Sequence, residues 1–109
     1  LWSLFRSRFT HKTIKDENKE RKIIFVFDAP RQAIYNNSLS KSDVVFLNEM
    51  MKELCDIYKI DYLDLTEPMQ KSYSKNRRKF NSEYDDHWDE YGNEFVANEI
   101  YNFLSTRIK

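Results

Sequence analysis

Ile23-Ile24-Phe25-Val26-Phe27, closed by Asp28-Ala29-Pro30, is the run that decides the fold. Five consecutive β-favouring apolar residues without polar alternation read as a strand covered on both faces, the pattern of a parallel sheet with helices on each side. From Ser42 the period changes. Val44, Leu47, Met51, Leu54 and Tyr58, flanked by Val45, Met50 and Cys55, form a wide helical stripe that Ser40 or Ser42 can cap. Ile60 to Leu65 reads as a second, shorter strand, and Pro68 in Thr66-Glu67-Pro68 can open a short helix. Residues 70–84 read as a polar connection anchored by Phe80 and Tyr84. Asp89 is placed to cap a final helix with Val96, Ala97, Ile100, Phe103 or Leu104, and Ile108 facing inward. Upstream, Leu1, Leu4, Phe5 and Phe9 repeat at helical spacing, and residues 10–22 read as a charged loop. The expected fold class is α/β, a partial three-layer α/β/α sandwich with two or three parallel strands and flanking helices.

Composition limits what such a chain can do. Its 109 residues suffice for one domain with a modest core, and 16% aromatic content argues against disorder. Eighteen basic groups balance eighteen acidic ones, so no overall field favours nucleic acid. The charge is unevenly spread: residues 71–79 hold five basic groups and no acid, residues 81–99 seven acids and no Lys or Arg. The basic run, with Tyr73 and Phe80 beside it, reads as a solvated loop or a partner for the acidic stretch. No apolar run approaches the roughly 20 residues that cross a bilayer. Cys55 is alone, so no internal disulfide forms, and its helical surroundings mark it as a structural thiol. The chain starts with Leu, from which we expect it to be the C-terminal piece of a longer protein, its compartment undecided.

The chemistry concentrates in Asp85-Asp86-His87-Trp88-Asp89-Glu90-Tyr91-Gly92, which holds the only glycine and one of two histidines. A carboxylate two residues before an imidazole, in a turn ahead of a helix, can orient the ring as a general base. A metal reading fails on spacing. Counted from Asp85, an EF-hand would need Gly at the sixth position, where Glu90 stands, and Glu at the twelfth, where Val96 stands. Zinc would want further His or Cys ligands, and the other histidine, His11, lies in the charged loop. No cofactor is called for. Arg31, at the carboxyl end of the first strand, sits where open α/β sheets bind ligands.

Tyr84-Asp85-Asp86-His87-Trp88-Asp89, with Gly92, Ala97 and Ile100 behind it, resembles the last conserved block of the SGNH (GDSL-type) hydrolases, in the branch reading Asp-x-His-Trp-Asn, two residues, Gly. The strand ending near Pro30, the helix from about Val44 and the strand Ile60–Leu65 follow that family's order. The resemblance covers most of the chain but only the C-terminal half of the family's flavodoxin-like domain. It implies a serine esterase or O-acyl (acetyl) transferase acting on ester or acetylated carbohydrate substrates. His87 would be the general base and Asp85 its orienting acid. Trp88 would wall the base, and Asp89 would cap the helix where the branch has Asn; for Arg31, from its strand-end position alone, both a substrate contact and an ordinary surface guanidinium stay open.

The departures matter equally. The family's Gly-Asp-Ser nucleophile block and its Gly-x-Asn oxyanion block are absent from this sequence. As an isolated chain it is therefore expected to be inactive, since oxyanion stabilisation often contributes more to acyl transfer than any other effect. The alternative is a non-catalytic α/β interaction module that merely retains the turn. On the fragment reading the unpaired apolar edge of Ile23–Phe27 is expected to make the chain alone dimerise, aggregate or be marginally stable.

Overall fold

The structure, a computed structural model, describes residues 22–107. The expected helix over residues 1–9, most of the 10–22 loop and Ile108 lie outside the described residues. Two parallel strands, β1 (Ile24–Phe27) and β2 (Asp61–Asp64), pair in the register Ile24 with Asp61 through Phe27 with Asp64. Around them stand α1 (Arg31–Tyr35), α2 (Asp43–Ile57), α3 (Thr66–Asn76) and α4 (Glu90–Arg107), with a 3-10 turn at Leu39–Lys41. The chain is mixed α/β, with helices flanking a parallel sheet.

Ser42 caps α2, its hydroxyl accepting from the Val44 N–H at 3.2 Å and the Val45 N–H at 3.5 Å. The stripe of that helix is not buried as its spacing predicts: Cys55 is buried, whereas Leu47 is 55% and Val44 42% exposed. Phe46 and Ile57, outside the stripe, are also exposed. The helix packs on β2, and among the described residues nothing covers Val44, Phe46 and Leu47.

The 70–84 stretch is not the expected connection. Residues to Asn76 belong to α3, because Asp64 accepts the Thr66 N–H at 2.9 Å to start the helix and Pro68 falls within its first turn. Met69 and Tyr73, four residues apart, then give it an inward face, and Lys71 pairs with Glu67 at 3.0 Å on the outside. Arg77, at φ 56°, ends it in the left-handed region. Phe80 anchors the turn beyond the helix and is fully buried, but Tyr84 is 95% exposed and anchors nothing. The basic groups do not pair with the acidic stretch among the described residues. Arg78 lies over the Tyr91 ring at 4.0 Å, Lys79 over Tyr35 at 5.1 Å and Arg77 over Tyr73 at 5.3 Å.

Ala29, Ile34, Leu65, Met69, Phe80 and Val96 form the core, so it joins the carboxyl ends of both strands to α1, α3 and α4. Of the expected inward residues of α4, Val96 is buried and Ile100 packs on the core, but Ala97 is exposed. Phe95 takes the place expected of Ala97, because its ring meets Phe80 at 4.9 Å between centroids. The core thus gathers beneath the segment that carries His87.

Candidate active site

Residues 81–88 form a loop whose ends are tied together. Asn81 and Trp88 make an isolated antiparallel bridge, and the Asp89 N–H donates to the Phe80 carbonyl at 2.9 Å. Asp89 then caps α4, accepting the Gly92 N–H at 2.8 Å. Gly92 lies against that same carbonyl: a Cβ there would stand 2.1 Å from the Phe80 oxygen. The glycine is required by the close approach of helix and loop.

Within this frame Asp85 turns back on His87. One carboxylate oxygen accepts both the His87 backbone N–H at 2.9 Å and the ring Nδ1 at 2.5 Å. These bonds, the backbone one foremost, lower the Asp85 carboxyl from its ordinary value, so it is ionised at neutral pH. A carboxylate on Nδ1 selects the tautomer with the proton there and leaves Nε2 as the basic nitrogen. His87 is 91% exposed, and among the described residues no hydrogen bond engages Nε2. Asp86, between the pair, is exposed.

Arg31 and Trp88 come to the same place. Together with Asp28, Asp86, His87 and Asn93 they line an open groove of about 450 Å³. Trp88 packs its ring on the core and donates its indole N–H to Asp28 at 3.4 Å. Arg31, its side chain 15% exposed, pairs with Asp28 at 3.3 Å and donates to the Asp86 carbonyl. All four residues singled out from the sequence therefore converge at the carboxyl end of β1. A groove of similar size between α2 and α3 holds Lys52 in ion pairs with Glu49 at 2.8 Å and Asp64 at 3.5 Å. Those charges serve one another.

Tyr35 and Asn81, which no sequence motif marks, also belong to the site. Tyr35 donates to the Asn81 side-chain oxygen at 2.6 Å, and the Asn81 amide donates to the Asp85 carbonyl at 3.2 Å. The one signal that could have found Tyr35 is Pro30 followed by Arg31 and Tyr35 at a spacing of four, one turn of helix.

Among the described residues no group of three or more His, Cys, Asp or Glu is placed to hold a metal ion. No described helix is long and apolar enough to cross a membrane. No family model, curated protein or solved structure matches the chain.

Proposed function

We propose that this chain supplies the acid and base of a serine esterase or O-acyltransferase of the SGNH type, acting on acyl esters such as those of acetylated carbohydrates. The observation that carries the reading is the Asp85 carboxylate at 2.5 Å from His87 Nδ1, with Nε2 left open. In the reaction Nε2 would take the proton of a serine hydroxyl as its oxygen bonds to the ester carbonyl carbon. The imidazolium so formed would return that proton to the departing alcohol, and Asp85 would stabilise its charge in between. Trp88 would flank the base, and the groove that both line would receive the alcohol portion. The serine and the oxyanion donors must come from another segment, since the sequence has no Gly-Asp-Ser block and Gly92 is committed to packing.

The test is hydrolysis of a small acetyl ester by the full-length protein that contains this segment. His87→Ala should cost on the order of 10⁴-fold or more in kcat, and Asp85→Asn about 10⁴-fold. Full activity in His87→Ala refutes the reading. Complete lack of ester activity in the full-length protein would favour the interaction module instead, a reading supported by the missing nucleophile block.

A further inference from the structure

We infer that Arg31, Tyr35 and Asn81 are positioning residues that jointly hold the Asp85–His87 loop in the geometry in which acid meets base. The inference deepens the esterase reading and rests on it for its purpose, but its geometry stands apart from any activity.

The loop has almost no burial to hold it. Asp85, Asp86 and His87 are all exposed, and Tyr84 just before them is 95% exposed. Between the Asn81–Trp88 bridge and the Trp88 ring that anchors its end, residues 82–87 bury no side chain and keep one conformation through polar bonds, and here two successive carbonyls are taken. The Asp85 carbonyl accepts from the Asn81 amide at 3.2 Å, and the Asp86 carbonyl accepts from the Arg31 guanidinium. Both bonds trace to α1. Arg31 and Tyr35 lie four residues apart, on one face of that helix, and Ile34 roots it in the core.

The proton assignments form a closed chain. The Tyr35 hydroxyl accepts the Phe80 N–H at 2.9 Å, so its single proton goes to Asn81 Oδ1 at 2.6 Å. With Oδ1 committed as acceptor, Asn81 Nδ2 is turned toward the Ser82 carbonyl at 3.1 Å and the Asp85 carbonyl. Burial raises the Tyr35 phenol, which therefore remains a donor at neutral pH, where Asp85 is ionised. Arg31 is likewise committed, because its guanidinium faces Asp28 at 3.3 Å while reaching the loop. Asp28 in turn takes the Ala29 N–H at 2.8 Å and the Trp88 indole. The strand end, the helix and the histidine loop thus share one polar network. Only Asp85 and His87 do chemistry in it.

Nuclear magnetic resonance on this chain tests the inference without substrate. His11→Gln as background leaves His87 as the one histidine, whose ring tautomer is read from nitrogen shifts; the Asp85 carboxyl is titrated by its carbon shift. In Tyr35→Phe, which deletes a single oxygen, and in Arg31→Met, the Asp85 titration should move up toward the ordinary ~3.9. The His87 Nδ1–H tautomer should lose its preference in both, and Arg31→Lys should restore it only in part, since an ammonium on a flexible stem lacks the fixed planar donor geometry of the guanidinium. Unchanged Asp85 titration and His87 tautomer in both deletion variants, with native shifts elsewhere, would overturn the inference. So would general loss of shift dispersion in Tyr35→Phe, because the bonds would then serve the whole fold. Neither result touches the esterase reading, which the ester assay decides separately.

Discussion

Gly92→Ala is the sharpest test of how the histidine loop is mounted. In an exposed helix the change should help, because alanine is favoured over glycine by about 1 kcal/mol. Here the added Cβ would stand 2.1 Å from the Phe80 carbonyl oxygen and 3.0 Å from the Trp88 Cβ. An ordinary carbon-to-oxygen contact begins near ~3.3 Å, so the backbone at Phe80 must withdraw by about 1 Å. That carbonyl accepts the Asp89 N–H at 2.9 Å, and the Phe80 ring is fully buried, 5.6 Å from Tyr91 and 4.9 Å from Phe95 between centroids. Overpacking of this kind costs about 1–3 kcal/mol, and the strained hydrogen bond roughly 1 more. After the helix gain is set against these, the net loss is about 2 kcal/mol. In a chain of this size 1 kcal/mol moves Tm by roughly 4–8 °C, so melting followed by circular dichroism should fall by about 8–16 °C. The amide shifts of residues 81–89 should move with it. A Tm equal to or above that of the parent would refute the close approach, since an unobstructed helical glycine yields stabilisation.

Three further outcomes are expected. The Asp85 carboxyl is lowered by its bonds to His87, so its contribution to stability is complete above the unfolded value of ~3.9 and lost as pH falls through the lower folded value. The stability gap between the parent and Asp85→Asn should therefore close on acidification in urea melts, and a gap independent of pH would be wrong for this geometry. Cys55 is 2% exposed and burial pushes its thiol up, so Ellman's reagent should modify it only in step with unfolding; immediate reaction in the native chain contradicts that. Phe46 and Leu47 are 65% and 55% exposed on α2, and β1 pairs only with β2 among the described residues. The chain should self-associate, and the Phe46→Lys, Leu47→Lys double variant should lower its weight-average mass in sedimentation; an already monomeric parent would refute this.

The unbroken run Ile23–Phe27 was informative because five apolar residues without polar alternation favour a parallel strand, and β1 does pair in parallel with β2; the expected cover on both faces is not there, since Val26 is 38% exposed and Ile24, Phe25 and Phe27 are only half-buried. Asp89 was legible as a cap because a carboxylate ahead of α4 meets a free N–H wherever the helix starts. The Asp85–His87 contact was legible for the same reason of locality, two residues being too few to place the groups far apart. What failed depended on distance. Tyr84 and Phe80 look alike as anchors in a polar stretch, but only Phe80 meets α4, where Tyr91, Phe95 and the cleared space at Gly92 receive it. Nothing in the sequence around Phe80 marks those partners. The α2 stripe failed differently. Its spacing is helical and correct, but periodicity says which residues share a face and not whether anything covers it, so Val44 and Leu47 remained in water. The role of Tyr35 was not legible, because the helical spacing Arg31–Tyr35 marks a shared face but not the hydrogen bond to Asn81, 46 residues on.

The exposure of His87 also constrains how the proposed chemistry could work. A base in water gains little from its carboxylate partner, because solvent screens both charges, whereas in a covered site the same pair orients and stabilises an imidazolium that water no longer reaches. Asp28 connects the two surfaces involved: it ends β1, its carbonyl accepts from Asn48 of α2 at 3.1 Å, and its carboxylate meets Trp88 and Arg31 beside the base. A strand added to the open side of β1 and running parallel to it would end at that same edge. Under the esterase reading such a strand would extend the sheet beside residues such as Val26, 38% exposed, and would end on the side of the sheet where His87 stands. On that reading one segment would cover both the β1 edge and the base, so a segment that lowers the exposure of one should lower that of the other.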